Sequence, residues 1–86
     1  MSESSLSFPS EFVFKIIGEA NKTFEATVIT IINSHFPNLT EGAFRYTPSK
    51  NNKYLSITVT VKAVSQAQLD ATYRDLTAHP DIMFVL

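Results

Sequence analysis

Apolar and polar positions alternate most strictly in KYLSITVTVK, residues 53–62. Leu55, Ile57, Val59 and Val61 interleave with Tyr54, Ser56, Thr58, Thr60 and Lys62. A period of two sends successive side chains to opposite faces of a strand, so this segment predicts a strand that buries one face only. EFVFKII, residues 11–17, is short, aromatic and β-branched and predicts another strand. Gly18 behind it predicts a sharp turn. Residues 22–35 carry two signals. TVITII has weak helix propensity. Phe24, Val28, Ile31, Ile32 and His35 nevertheless share one helical stripe, and Asn21 suits an N-cap, so the segment is assigned as helix. Pro37-Asn38 closes it. EGAFRYTP, residues 41–48, predicts a second strand, at a sheet edge because Pro48 has no amide to donate. SKNN then supplies a hairpin turn into 53–63. Ser65 and Gln68 predict a capping box and Val64 with Leu69 a hydrophobic staple, opening a second helix. Leu69, Tyr73 and Leu76 form its expected buried face, with Ala71 and Thr72 flanking, and Pro80 stops it. DIMFVL, residues 81–86, predicts the last strand.

The order β-α-β-β-α-β contains two crossovers, each expected to be right-handed. Its natural closure is an α+β, ferredoxin-like βαββαβ sandwich. Two helices then cover one face of a four-stranded antiparallel sheet of order 4-1-3-2. The helix-facing set is Phe12, Phe14 and Ile16; Phe44 and Tyr46; Leu55, Ile57, Val59 and Val61; and Ile82, Phe84 and Leu86. The open face carries Val13, Lys15 and Ile17, the polar half of strand 3, and Met83 with Val85. A slip of one residue would exchange the two sets on any strand. Val13, Ile17, Met83 and Val85 would make an apolar strip on the open face. Such a strip is either ordinary surface or a dimer or protein-partner surface.

The chain has 86 residues, enough for one domain, expected over residues 8–86 behind a flexible tail at 1–7. Hydrophobic residues make up 44% and charged residues 17%, a globular balance. The net charge of −1 offers no general basic surface for phosphates and argues against nonspecific nucleic-acid binding. The absence of cysteine excludes disulfides, thiolate metal sites and cysteine nucleophiles. No apolar run approaches a membrane span and MSESSLS lacks the features of a signal peptide, so the expected location is cytoplasmic.

Motif chemistry is sparse. HExxH and CxxC spacings, GxSxG and a Walker loop are all missing, and no catalytic residue, metal or cofactor is assigned. His35 and His79 each stand near a predicted helix end, where a protonated imidazole meets the helix dipole favourably. GEAN after strand 1 lacks the arginine of an acylphosphatase and the cysteines of a copper chaperone. An RNA-recognition motif needs aromatics on its central strands, and the open side of strand 3 has only Tyr54. Single-stranded RNA binding through Tyr54, Arg45, Lys15 and Lys62 is retained as an alternative, as is a small enzyme without a recognisable motif. An ACT-type regulatory domain fits the topology better. Such domains bind small metabolites near the first strand–helix loop, where Lys15, Gly18, Glu19 and Asn21 stand. Gly18 has the plainer role of a turn residue and Asn21 that of a helix cap.

FPSEFVFKIIGEA (8–20), TPSKNNKYLSITVTVKA (47–63) and the terminal VL (85–86) resemble the YbeD-like family of small proteobacterial proteins. The matching positions are Phe8, Pro9, Phe12, Lys15, Gly18, Pro48, Ser49, Tyr54, Ser56, Val85 and Leu86. Lys22 departs from the pattern, which has proline near the start of the first helix. The resemblance implies an ACT-like, ferredoxin-like domain and a link to lipoate metabolism, and it carries over no catalytic residues. The function expected from residues and resemblance together is a small regulatory or interaction module. It would bind a small metabolite or a protein partner, the partner being in one case a second copy.

Overall fold

The computed structural model describes residues 7–86. The expected tail at 1–7 therefore lies outside the described residues except for Ser7, which is exposed. The chain runs β1 (Ser10–Glu19), α1 (Lys22–His35), a 3-10 turn (Glu41–Ala43), β2 (Phe44–Pro48), β3 (Tyr54–Ala63), α2 (Gln66–Ala78) and β4 (Ile82–Val85). The four strands form one sheet in the order β2-β3-β1-β4, with every neighbouring pair antiparallel. This is the expected ferredoxin-like βαββαβ layout, and β2, with Pro48, lies at an edge.

The central ladder is β1 with β3, paired over ten residues from Ser10↔Ala63 to Glu19↔Tyr54. Its strict alternation explains why it is continuous. Phe14 and Ile16 on β1, and Leu55, Ile57, Val59 and Val61 on β3, are all buried on the helix side. Phe24, Val28 and Ile32 of α1 and Leu69 and Leu76 of α2 close the same core. Each of these large apolar side chains contributes roughly 1.5–3 kcal/mol on burial.

Both caps form. The Asn21 side chain accepts from the Phe24 amide at 2.8 Å, and Ser65 Oγ accepts from the Gln68 amide at 3.1 Å. Gln68 departs from the usual capping box. Its Oε1 accepts from the Val64 amide at 2.8 Å and its Nε2 donates to the His35 carbonyl, also at 2.8 Å, tying the start of α2 to the end of α1.

Four expectations are corrected here. Glu41–Ala43 is a 3-10 turn, so β2 begins only at Phe44. Val64 is 65% exposed and gives no staple. The buried face of α2 is Leu69, Thr72 and Leu76, while Tyr73 is exposed. Thr72 tolerates burial because its hydroxyl donates to the Gln68 carbonyl one turn back, at 2.7 Å. Tyr46 pairs with Ile57 and faces the helices as expected, although on the edge strand it stays 43% exposed.

The fourth correction concerns Gly18. It is no turn but extended strand inside β1, and the chain leaves the sheet only after Glu19. It lacks a side chain for a packing reason. A Cβ there would come within 2.4 Å of Phe24 Cδ1 and 2.7 Å of the Asp81 carbonyl oxygen. Gly18→Val is expected to destabilise the fold by about 1–3 kcal/mol through this overpacking. Thermal unfolding checks it: a melting temperature equal to that of the parent would refute the close approach.

Candidate functional site

The helices leave one face of the sheet uncovered, and strand register decides what it presents. On β1 it carries Glu11, Val13, Lys15, Ile17 and Glu19. Opposite them on β3 stand Lys62, Thr60, Thr58, Ser56 and Tyr54. On β2, Arg45 pairs with Thr58 and Thr47 with Ser56. Lys53 Nζ lies 5.4 Å from the Tyr54 ring centroid, a cation–π contact that occupies one side of the ring.

The β1–β4 ladder changes the expected apolar strip. Ile16 pairs with Val85 and Ile17 with Phe84, but Gly18 pairs with Ile82. Met83 is the extra residue of a bulge. Paired residues share a face, so Val85 joins Ile16 on the helix side, where it is partly buried against the core. Phe84 joins Ile17 on the open face and is 58% exposed. Leu86 also turns outward: it exchanges backbone hydrogen bonds with Lys15, at 3.1 and 2.8 Å. The assignment of Phe84 and Leu86 to the core and of Val85 to the open face is therefore reversed. The open-face apolar corner consists of Val13, Ile17, Phe84 and Leu86, with Met83 exposed at the bulge. IMFVL is apolar throughout, so the sequence pattern assigns no face there and holds no signal for that extra residue.

The four residues expected around the first strand–helix loop do not converge. Lys15 projects from the open face, and Gly18 is sealed on the opposite face under the Phe24 ring. Asn21 is engaged as the cap of α1. Glu19 and Asn21 do border a shared cleft of about 350 Å³ with Phe24, Pro80, Asp81 and Met83.

The histidines are held at helix ends. His35, in the last turn of α1, sits 2.7 Å from Asp75 Oδ2 on α2. His79 caps the end of α2, and its Nδ1 accepts from the Asp81 amide at 3.2 Å. Among the described residues no group of three or more His, Cys, Asp or Glu is placed to hold a metal ion. No described helix is long and apolar enough to cross a membrane.

A second cleft, of about 580 Å³, lies between α1 and the segment leading into β2. Ile29, Leu39 and Phe44 line it together with Glu25, Glu41 and Tyr46. Although Tyr46 is 43% exposed, burial of the rest of the residue raises its phenol above the ordinary 10.0, and the carboxylates of Glu25 and Glu41 add to the shift. Both causes disfavour the phenolate. The sequence placed Tyr46 toward the helices but gave no sign of these two acids beside it.

The family described as "Protein of unknown function (DUF493)" matches residues 3–86. A UPF0250 protein of Janthinobacterium sp. (strain Marseille) is 43% identical over 84 residues, covering 98% of this chain and 92% of the relative. The UPF0250 protein RSc0326 of Ralstonia nicotianae is 39% identical over 84 residues, with 98% and 87% covered. The solution structure of protein HP0495 from H. pylori superposes with a TM-score of 0.75 at 14% identity, covering 96% of this chain and 87% of that one. At that identity the likeness is one of fold.

The Tyr46 environment is open to direct measurement. An ultraviolet absorbance titration should contain a phenol step above pH 10.0 that Tyr46→Phe removes. Glu25→Gln should move that step down; an unmoved step would eliminate the Glu25 carboxylate as a cause.

Proposed function

This chain belongs to the DUF493 family, which takes in nearly its whole length, and on that footing we propose that it is a regulatory interaction module and not an enzyme. Its working surface is the open face of the sheet, and its partner there is a second copy of the chain. The observation that carries this reading is the apolar corner. Val13 is 49% and Phe84 58% exposed, and Ile17 stands directly across from Phe84 on the same uncovered face.

Scattered surface hydrophobes need no explanation, but these are contiguous. Lys15 stands between Val13 and Ile17 on this side of β1, but Phe84 lies directly across from Ile17, and Leu86, across from Lys15, carries the patch on toward Val13. Two copies meeting through the same corner would bury both patches at once in an isologous contact. Packed sheets sit about 10 Å apart, a spacing that Phe84 and Ile17 can fill. The histidines support a non-catalytic reading, since both are engaged in helix-end hydrogen bonds.

Phe84→Glu and Val13→Glu test this surface. Each places a charge at an exposed strand position, so the circular dichroism spectrum should be unchanged. Sedimentation velocity across a concentration series should show parent chain that associates and variants that do not. A parent that stays monomeric at the highest concentration, or variants that assemble as the parent does, would refute the second copy as occupant.

A further inference from the structure

A different set of residues on the open face forms a row of its own. Thr58 of β3 has Lys15 of β1 on one side and Arg45 of β2 on the other. All three turn away from the helices, because Ile57 and Val59 on either side of Thr58 are fully buried beneath them. Neighbouring strands lie about 4.8 Å apart, so the Cα atoms of Lys15 and Arg45 are roughly 10 Å from each other. Both side chains are exposed and long enough to meet over the threonine.

The side chains bordering the row are uncharged, and Leu86 stands on the far side of Lys15. The adjacent rows are Val13 with Thr60, and Ile17 with Ser56 and Thr47. The acids of β1 on this side, Glu11 and Glu19, stand four residues along the strand in either direction, roughly 13 Å away. Glu11 already faces Lys62 across the ladder. The ion pairs among the described residues are His35–Asp75 and His79–Asp81, both at helix ends. The chain carries a net charge of −1, so this positive row is a local arrangement and not a consequence of a basic chain. One further observation falls in the adjacent row. Ser56 Oγ is closed off from solvent and has no hydrogen-bond partner. A buried hydroxyl in that condition is uncommon in folded proteins.

We propose that Lys15, Arg45 and the Thr58 hydroxyl form an oxyanion-binding row that takes a phosphate or a carboxylate group. Arg45 brings a planar fork of N–H donors, Lys15 a compact charge and Thr58 a neutral donor. An anion seated between the two cations makes charge-assisted hydrogen bonds to both and relieves their mutual repulsion. Ser56 lies one row along β3 with its hydroxyl closed off from solvent, so the anion's contacts are those of Lys15, Arg45 and Thr58. The row goes beyond the self-association proposed above and does not rest on it, since neither Val13 nor Phe84 belongs to it.

The test is an amide NMR titration of the full chain with sodium phosphate and, separately, with sodium succinate, against sodium chloride at matched ionic strength. Saturable shifts are expected at Lys15, Arg45, Ser56 and Thr58 with phosphate or succinate and not with chloride. The stronger of the two arms identifies the ligand as phosphoryl or carboxylate. Lys15→Gln and Arg45→Gln should each weaken binding about tenfold, the loss of one charge-assisted contact, and the double variant should not saturate. Both substitutions fall at exposed strand positions, and circular dichroism checks that the fold is kept. Shifts no different from those in chloride, saturation centred on other residues, or a double variant that binds as the parent does would each overturn the proposal. Because the parent chain is titrated first, this result is separate from that of the assembly experiment.

Discussion

The arrangement of this molecule turns on one close approach: the Phe24 ring occupies the space that a side chain on Gly18 would fill. Three parts of the chain meet there. Gly18 belongs to β1, Phe24 to the first turn of α1, and the Asp81 carbonyl to the connection entering β4. Asn21 fixes the helix start beside them, and Thr27 of α1 donates to the Asp81 carboxylate at 3.3 Å. The contact sets how closely α1 lies on the sheet and where β4 enters it. At this same step the β4 ladder shifts register. A glycine chosen for packing thus stands beside the bulge that decides which side chains of β4 reach the open face.

The helices are joined to one another at the opposite end of α1. The His35 carbonyl accepts from Gln68, the His35 ring meets Asp75, and the Gln68 side chain also takes up the Val64 amide. Gln68 thereby satisfies an orphan carbonyl at one helix end and a free amide just before the other. His35 and Gln68 act structurally, holding the helix layer as a unit over the core. That layer covers only one side of the sheet. The other side is left with an apolar corner over β1 and β4 and a positive row across β1, β3 and β2, two surfaces of different chemistry on one face.

Much of this was legible from local pattern. The burial of Leu55, Ile57, Val59 and Val61 followed from strict alternation, because a strand in a half-covered sheet has no other way to divide its side chains. The Asn21 and Ser65 caps were legible because capping is a short-range geometry set within three residues. The face of β4 was not. IMFVL is apolar throughout and marks neither face, and Met83 is the extra residue of a bulge, which depends on what packs across the ladder. Thr72 and Tyr73 were misplaced for a related reason. Both fall near the edge of the apolar stripe of α2, and Thr72 is the one buried, its hydroxyl bonded to the Gln68 carbonyl.

The sequence by itself determined the element order, the edge position of β2, the core half of β3 and both helix starts. Each is written in periodicity or in a residue's intrinsic backbone chemistry. Only the tertiary structure decided the composition of the open face. It brought Phe84 out beside Ile17, turned Val85 inward beside Ile16, and set Lys15 and Arg45 on either side of Thr58. Those neighbours are distant in sequence, and their meeting depends on register between strands. Register is a property of the assembled sheet, fixed by the fit of Gly18 under Phe24 and by the ladder that begins there, and no single segment encodes it.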